Sequence, residues 1–347
     1  MRITKQELAG LLSALGLATA LPAMAQEVTL KVHHFLPPPS TAHSKFITPW
    51  CDKINKESGG KLKCQIYPAM QLGGTPPQLI EQVKDGVADI VWTLPGYSAG
   101  RFPAAEVFEL PFSIRTAQGA SRALWEYIHG NKLNTTEFKD VHPIAFHVHD
   151  QGHLHMVKKP IQSLEDFKGL KVRAPTRLTN KMLASFGATP VGMPVPQVPE
   201  ALSKGVIDGA VLPWEVVPAI KVQELVKFHS EGDPAARALY TSVFIFAMNK
   251  AKYESLPADL KKVIDANSGP ETSAWIGKVW DDSATGARKL ALDRKNQFNT
   301  IPAAELKKWE AATAPLAEEW VKDVSAKGHD GKALLQSARD LLNKHDR

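Results

Sequence analysis

The sequence predicts an α/β protein with two largely parallel sheets of a few strands each. Short apolar or alternating runs recur along the first 250 residues, and amphipathic helical stretches separate them. Several runs are apolar on both faces, as in a sheet covered by helices on each side. A chain of 347 residues is long enough for two lobes. In such folds ligands bind beyond the carboxyl ends of the strands.

Val28 to His33 alternates and reads as the first strand. Pro37-Pro38-Pro39 then forbids ladder or helix hydrogen bonding, so a rigid loop follows. Residues 42–57 form an amphipathic helix closed by Gly59-Gly60, and Lys61 to Tyr67 is the next strand. Thr75-Pro76-Pro77-Gln78 opens a helix with a capping box. Val87 to Leu94 is a strand buried on both faces. Residues 116–129 are helical, and His142 to His149 is a strand. After a helical turn at 163–167 come a short strand at Lys171 to Ala174 and a helix from Asn180 to Phe186. Strands at Ile207 to Leu212 and Ser242 to Met248 complete the set. Beyond Lys250 the chain reads as nearly all helix, over 257–267, 271–297, 303–324 and 331–344. No internal repeat stands out.

The amino terminus reads as an export signal. Arg2 and Lys5 precede the apolar run Leu8 to Leu21, and Ala23-Met24-Ala25 has the A-x-A form of a cleavage site. The expected mature chain starts near Gln26 and resides in the periplasm. No later apolar stretch reaches the roughly 18 residues that span a bilayer. The formal charge of +6 falls to +5 when Arg2, Lys5 and Glu7 are removed. No basic run interleaved with aromatics appears, which argues against nucleic acid as a partner. A mild positive field suits a small anion. The two cysteines, Cys51 and Cys64, lie on a helix and the following strand. In an oxidising compartment a disulfide is expected, with two buried thiols as the alternative.

No nucleophile elbow, Walker loop, dinucleotide glycine pattern or zincin helix is present. Four histidines and an aspartate fall between His147 and His155, which raises the alternative of a metal-dependent hydrolase. The order is wrong for His-x-His-x-Asp-His: Asp150 comes one place early and His155 one place late. The reading preferred here has no metal, no cofactor and no catalysis. One of these histidines, His153, donates to a ligand instead. Arg173 ends a strand at a proline, where a guanidinium can meet a carboxylate with two charge-assisted bonds. Trp214 and Glu215 follow an apolar strand. Trp214 is expected to wall an apolar ligand body, and Glu215 to bond a ligand hydroxyl. Phe35, Trp92 and Tyr97 are expected on the opposite wall.

Met70-Gln71-Leu72-Gly73-Gly74, Gly86-Val87-Ala88-Asp89 and Phe108-Glu109-Leu110-Pro111-Phe112 recur in one order with later segments. These are Leu164 to Pro175, Glu200 to Gly209, and Met248-Asn249-Lys250 followed by Leu256-Pro257. In this the chain resembles the extracytoplasmic solute-binding subunits of TRAP (tripartite ATP-independent periplasmic) transporters, over nearly all of its mature length. The resemblance implies a two-lobed periplasmic-binding-protein fold with a ligand cleft and a helical C-terminal region that includes a long lobe-spanning helix. Residues 26–150 and 241–275 would form lobe I, 151–240 and 276–330 lobe II, and 331–347 a C-terminal helix. It also implies that Arg173 binds a ligand carboxylate, and that small and large integral membrane subunits receive the ligand. An ATP-driven importer is the alternative partner. Many relatives place a second arginine after a glycine where this chain has Gly152-His153-Leu154-His155, and Ala210 to Trp214 is unusually apolar. Both departures point to a monocarboxylate with a hydroxyl or keto group and an aromatic or branched body.

Overall fold

A computed structural model describes residues 27–347. The signal segment, 1–25, lies outside them. Eleven strands form two sheets: β1 (Val28–His34), β2 (Leu62–Tyr67), β3 (Ile90–Thr93), β4 (Val141–Val148), β5 (Gly152–Met156), β6 (Lys171–Ala174), β7 (Thr189–Gly192), β8 (Gly209–Pro213), β9 (Phe228–Gly232), β10 (Val243–Asn249) and β11 (Gln297–Ile301). The first sheet has the order β2-β1-β3-β10-β4, the second β11-β9-β5-β8-β6-β7. The helices of eight residues or more that matter for packing are α1 (Thr48–Glu57), α2 (Ala117–Gly130), α3 (Arg177–Ser185), α4 (Pro270–Asp293), α5 (Ala303–Thr313), α6 (Pro315–Ser325) and α7 (Gly331–His345).

The sheets are mixed, which corrects the largely parallel expectation. Pairs β1–β2, β1–β3, β6–β7, β6–β8 and β9–β11 are parallel. Every antiparallel pair includes β5 or β10. These two strands are the first that the chain lays down after passing from one sheet to the other, at 149–151 and at 233–242. Arriving from the cleft side, each must run against its neighbours.

The same local device starts a strand in each lobe. In Gly86-Val87-Ala88-Asp89 and Gly205-Val206-Ile207-Asp208 the glycine adopts a left-handed φ (76° and 66°). The aspartate carboxylate then accepts a backbone N–H of the adjoining strand, from Lys31 at 2.7 Å and from Lys171 at 2.9 Å. The internal similarity that sequence reading did not find is therefore local: a turn of four residues used twice. It also shortens two expected strands. Val87 and Ile207 sit on the turns, and the ladders begin at Ile90 and Gly209.

Other boundaries move for identifiable reasons. Ala42–Ile47 is wound wide, as a π-helix, and runs straight into α1. At the capping box, Thr75 N–H and the Thr75 hydroxyl both donate to Gln78 Oε1, at 2.8 and 3.1 Å. The region beyond Lys250 is not all helix, because β11 follows α4 and pairs with β9. Pro315 divides the expected helix 303–324 into α5 and α6. The strands β5, β7, β9 and β11 are short and carry polar or proline residues, so periodicity did not mark them.

The 24-residue helix α4 packs against α2 and β4 of the first lobe and against the turn at 214–216 of the second. It bridges the two lobes, and the expected boundary at 275/276 falls within it. Cys51 on α1 and Cys64 on β2 form a disulfide, with Cα atoms 5.7 Å apart. It closes a short loop and ties a helix to its strand. Replacing both cysteines by serine is expected to lower stability in urea by about 2–3 kcal/mol, measured by far-UV circular dichroism, with no change in the folded spectrum.

Candidate ligand-binding site

Between the lobes lies a narrow cavity with about 30 Å³ of space open to the centre of a water molecule. The first lobe contributes Phe35, Leu36, Trp92, Leu94 and Tyr97; the second contributes Arg173, Pro175, Val195, Leu212 and Glu215. The crossing segments add His149, Tyr240 and Ser242. Each arrives for a topological reason. Trp92 and Arg173 lie near the carboxyl ends of β3 and β6, where a doubly wound sheet opens. Tyr240 and Ser242 sit on the return crossing, just before β10 begins.

Arg173 is 1% exposed and has no carboxylate beside it. Its Nε donates to Met193 O at 3.0 Å and its Nη1 to Val211 O at 3.2 Å. These two backbone acceptors fix the guanidinium plane, while Nη2 has no partner. Burial pulls the arginine pKa down, and the nearby Tyr97 and Tyr240 partly offset this. An arginine does not lose its proton in a protein, so a buried cation faces the cavity. It is the one basic Lys or Arg on the wall.

The rest of the wall is aromatic. Trp92 is stacked between Phe35 and Phe244, with ring centroids 4.9 Å away on each side and interplanar angles of 12° and 6°. Tyr97 meets Phe35 edge-on. Trp92 is held in plane by its Nε1–H, which donates to His147 Nε2 at 2.8 Å. Polar atoms on the wall are few, and several lack partners: Tyr240 Oη, Ser242 Oγ and Glu215 Oε2, besides Arg173 Nη2. Burial pushes the Glu215 carboxyl up to about 8, so it is a neutral acid at pH 7. Burial also lowers His149 to about 3, leaving a neutral ring.

The lobes are closed over this space. Across the seam, Val195 N–H donates to Tyr97 Oη at 3.1 Å, and Arg177 Nε donates to Glu106 Oε2 at 3.1 Å. Glu109, of the Phe108 to Phe112 segment, accepts from Val243 N–H at 2.9 Å and adjoins Thr176 of the second lobe. Its other oxygen is buried without a partner, and burial raises its pKa to about 8.

The structure thus brings Arg173, Glu215, Phe35, Trp92 and Tyr97 to one cavity. It does not bring Trp214 or His153 there. Trp214 lies away from the cavity, where its Nε1 donates to Glu231 Oε1 at 2.8 Å and its ring packs on His155, His229 and Phe298. His153 lies beside it, 6.0 Å from Trp214 between ring centroids. Sequence reading missed Tyr240, Ser242, His149 and Phe244. An aromatic and a hydroxyl just ahead of a buried strand were the available signal for the first two.

The second arginine of relatives has no counterpart on this wall. Gly152 instead gives room to Tyr240: a Cβ at that glycine would lie 2.0 Å from Tyr240 Cε1. The histidine run does not converge either. His147 faces Trp92 within the first lobe, and His155 Nδ1 lies 2.7 Å from His229 Nδ1 in the second. Among the described residues no group of three or more His, Cys, Asp or Glu side chains could hold a metal ion. The hydrolase alternative therefore loses its site.

Comparison with known proteins agrees with this geometry. Residues 32–323 match the family model of the bacterial extracellular solute-binding proteins, family 7. The chain is 52% identical to a TRAP solute-binding protein of Rhodoferax ferrireducens T118, solved with co-purified benzoate; the match covers 92% of this chain and 98% of that one, with a TM-score of 0.90. A marine-metagenome TRAP solute-binding protein specific for aromatic acids, solved with 3-hydroxybenzoate, is 48% identical over 93% of this chain and 100% of its own, again with a TM-score of 0.90. Among curated relatives, the TsaT transporter protein of Comamonas testosteroni is 27% identical over 94% of this chain and 95% of its own. The chain belongs to the bacterial extracellular solute-binding proteins of family 7, and within them to the periplasmic binding subunits of TRAP transporters.

Proposed function

We propose that the protein captures an aromatic monocarboxylate in the periplasm and delivers it to the small and large membrane subunits of a TRAP permease. The observation that carries this is the unpaired Nη2 of a buried arginine, facing a wall of stacked aromatic rings. The ligand carboxylate accepts from Arg173 Nη2 and from the Tyr240 hydroxyl. The ring lies against the Phe35, Trp92 and Phe244 stack. Relatives add support: the proteins at 52% and 48% identity were solved with benzoate and 3-hydroxybenzoate, and a TRAP protein of Bordetella bronchiseptica, 27% identical with a TM-score of 0.84, was solved with mandelate.

The same physics drives opening and closing. A buried cation without an anion costs several kcal/mol, so the empty cleft favours a form in which water reaches Arg173. An aromatic acid removes that cost and touches both lobes, so it selects the closed form. Residues 1–25 are removed on export, and N-terminal sequencing of the periplasmic protein is expected to start at Gln26.

Calorimetry should show tight binding of benzoate-type acids and none of sugar acids such as glucuronate; the opposite pattern defeats the proposal. Arg173→Ala is expected to weaken binding by about 10²–10³-fold, the equivalent of losing about 3–4 kcal/mol from a buried charge pair. It should keep the ligand-free melting temperature while losing the shift that ligand adds.

A pH dependence follows from the buried acids. Glu109 and Glu215, raised to about 8, hold protons in the folded protein that ordinary carboxyls in the unfolded chain release. The folded state binds more protons, so stability falls as pH rises toward 8. His147 and His149, lowered to about 3, act in the opposite sense: the unfolded chain protonates them below the usual 6.5, so stability is lost as the solution is acidified below that value. The ligand-bound protein should therefore melt highest near about pH 6.5 and lower at about pH 8.5, and Glu109→Gln should flatten the alkaline limb.

A further inference from the structure

We infer that Glu215 reads a hydroxyl on the ring of the bound acid, at a position remote from the carboxylate, so that the natural ligand is a hydroxyaryl carboxylate. This rests on Arg173 holding the carboxylate in the same cavity. Glu215 follows β8 and turns its side chain onto the cavity wall, 6% exposed. Its Oε2 is buried and accepts no hydrogen bond within 3.5 Å, and the nearby Trp280 Nε1 is likewise without a partner. The neighbouring cation does not claim it, since Lys45 Nζ donates to Ser283 Oγ at 3.2 Å. Thr41 and Trp280 flank the carboxyl from the first lobe and from α4.

The two ends of the cavity are chemically distinct. Arg173 is bounded by Tyr97, Met193 and Val211. Glu215 is bounded by Thr41, Trp280 and Lys45, and Tyr240 adjoins both groups. A carboxylate held at the first end therefore places the far side of its ring toward the second. What arrives there must satisfy a carboxyl that makes no ion pair among the described residues. A bare ring leaves the oxygen unpaired, and a second ligand carboxylate would find the neighbouring Lys45 already bonded to Ser283. A phenolic hydroxyl both donates and accepts, which matches a neutral carboxylic acid that does the same. Burial supports the neutral form at pH 7.

The test is calorimetric titration with benzoate and with 2-, 3- and 4-hydroxybenzoate on the wild-type protein, Glu215→Gln and Glu215→Met, with ligand-free melting curves to confirm folding. Wild type should bind the 3- or 4-hydroxy acid about tenfold or more tighter than benzoate, because a polar group left unpaired discriminates strongly. The 2-hydroxy acid, whose hydroxyl stays beside Arg173, should gain nothing. Glu215→Gln should keep the preference, and Glu215→Met should bring the hydroxybenzoate-to-benzoate ratio to about one. Equal binding of all four acids by wild type overturns the inference and leaves the carboxylate reading standing. So does a preference that persists in Glu215→Met or vanishes in folded Glu215→Gln. If wild type binds none of the acids, or Arg173→Ala binds benzoate as wild type does, the carboxylate reading fails and this inference with it.

Discussion

A guanidinium closed away from water, with one nitrogen unsatisfied, sets the terms for everything else between the lobes. Arg173 is locked by two backbone carbonyls from its own lobe, so it cannot swing out to find a partner without breaking both bonds. Its remaining hydrogen-bonding capacity faces the cavity. No carboxylate of the protein is allowed near enough to quench it, and Glu215, the one acid on the wall, is kept neutral by burial. The electrostatic vacancy is thus preorganised for an anion from outside.

Around that charge the first lobe supplies flat rings, and the seam supplies interactions that exist only when the lobes meet. The Phe35, Trp92 and Phe244 stack is a rigid surface, because Trp92 is pinned by His147 from behind. Tyr97 joins the lobes through Val195, and Arg177 joins them through Glu106. Glu109 makes no ion pair there, and its second oxygen is unpaired. Closure is therefore held by a mixture of favourable contacts and buried polar groups that resist burial, a balance a ligand of modest size can tip.

Much of this was legible in the sequence, and what was not has physical causes. Arg173 stood out because a charged residue at the end of an apolar strand has few places to go. Phe35, Trp92, Tyr97 and Glu215 follow from the rule that strand carboxyl ends meet the cleft. The same rule placed Trp214 on the wall, but it does not say which neighbours claim an indole once the strand has ended, here Glu231, His155 and His229. The histidines from 147 to 155 looked like one cluster because they are near in sequence. They straddle a crossing between lobes, which sends His147 and His155 to separate sheets. Tyr240 was invisible because its place is set by a close approach to Gly152, a contact across 88 positions that no local pattern encodes.

The placement of β10 has a kinetic meaning. This strand lies between β3 and β4, so the first sheet is split until residues 243–249 have been delivered. The whole second sheet except β11 is encoded before that happens. An exported chain emerges amino end first, and its leading half must wait with two bare strand edges while the trailing half appears. Such edges invite pairing with other chains. Assembly of the leading lobe is consequently an event of high contact order, slow relative to its local helices, and strands β5 to β9 of the second sheet are free to pair before it.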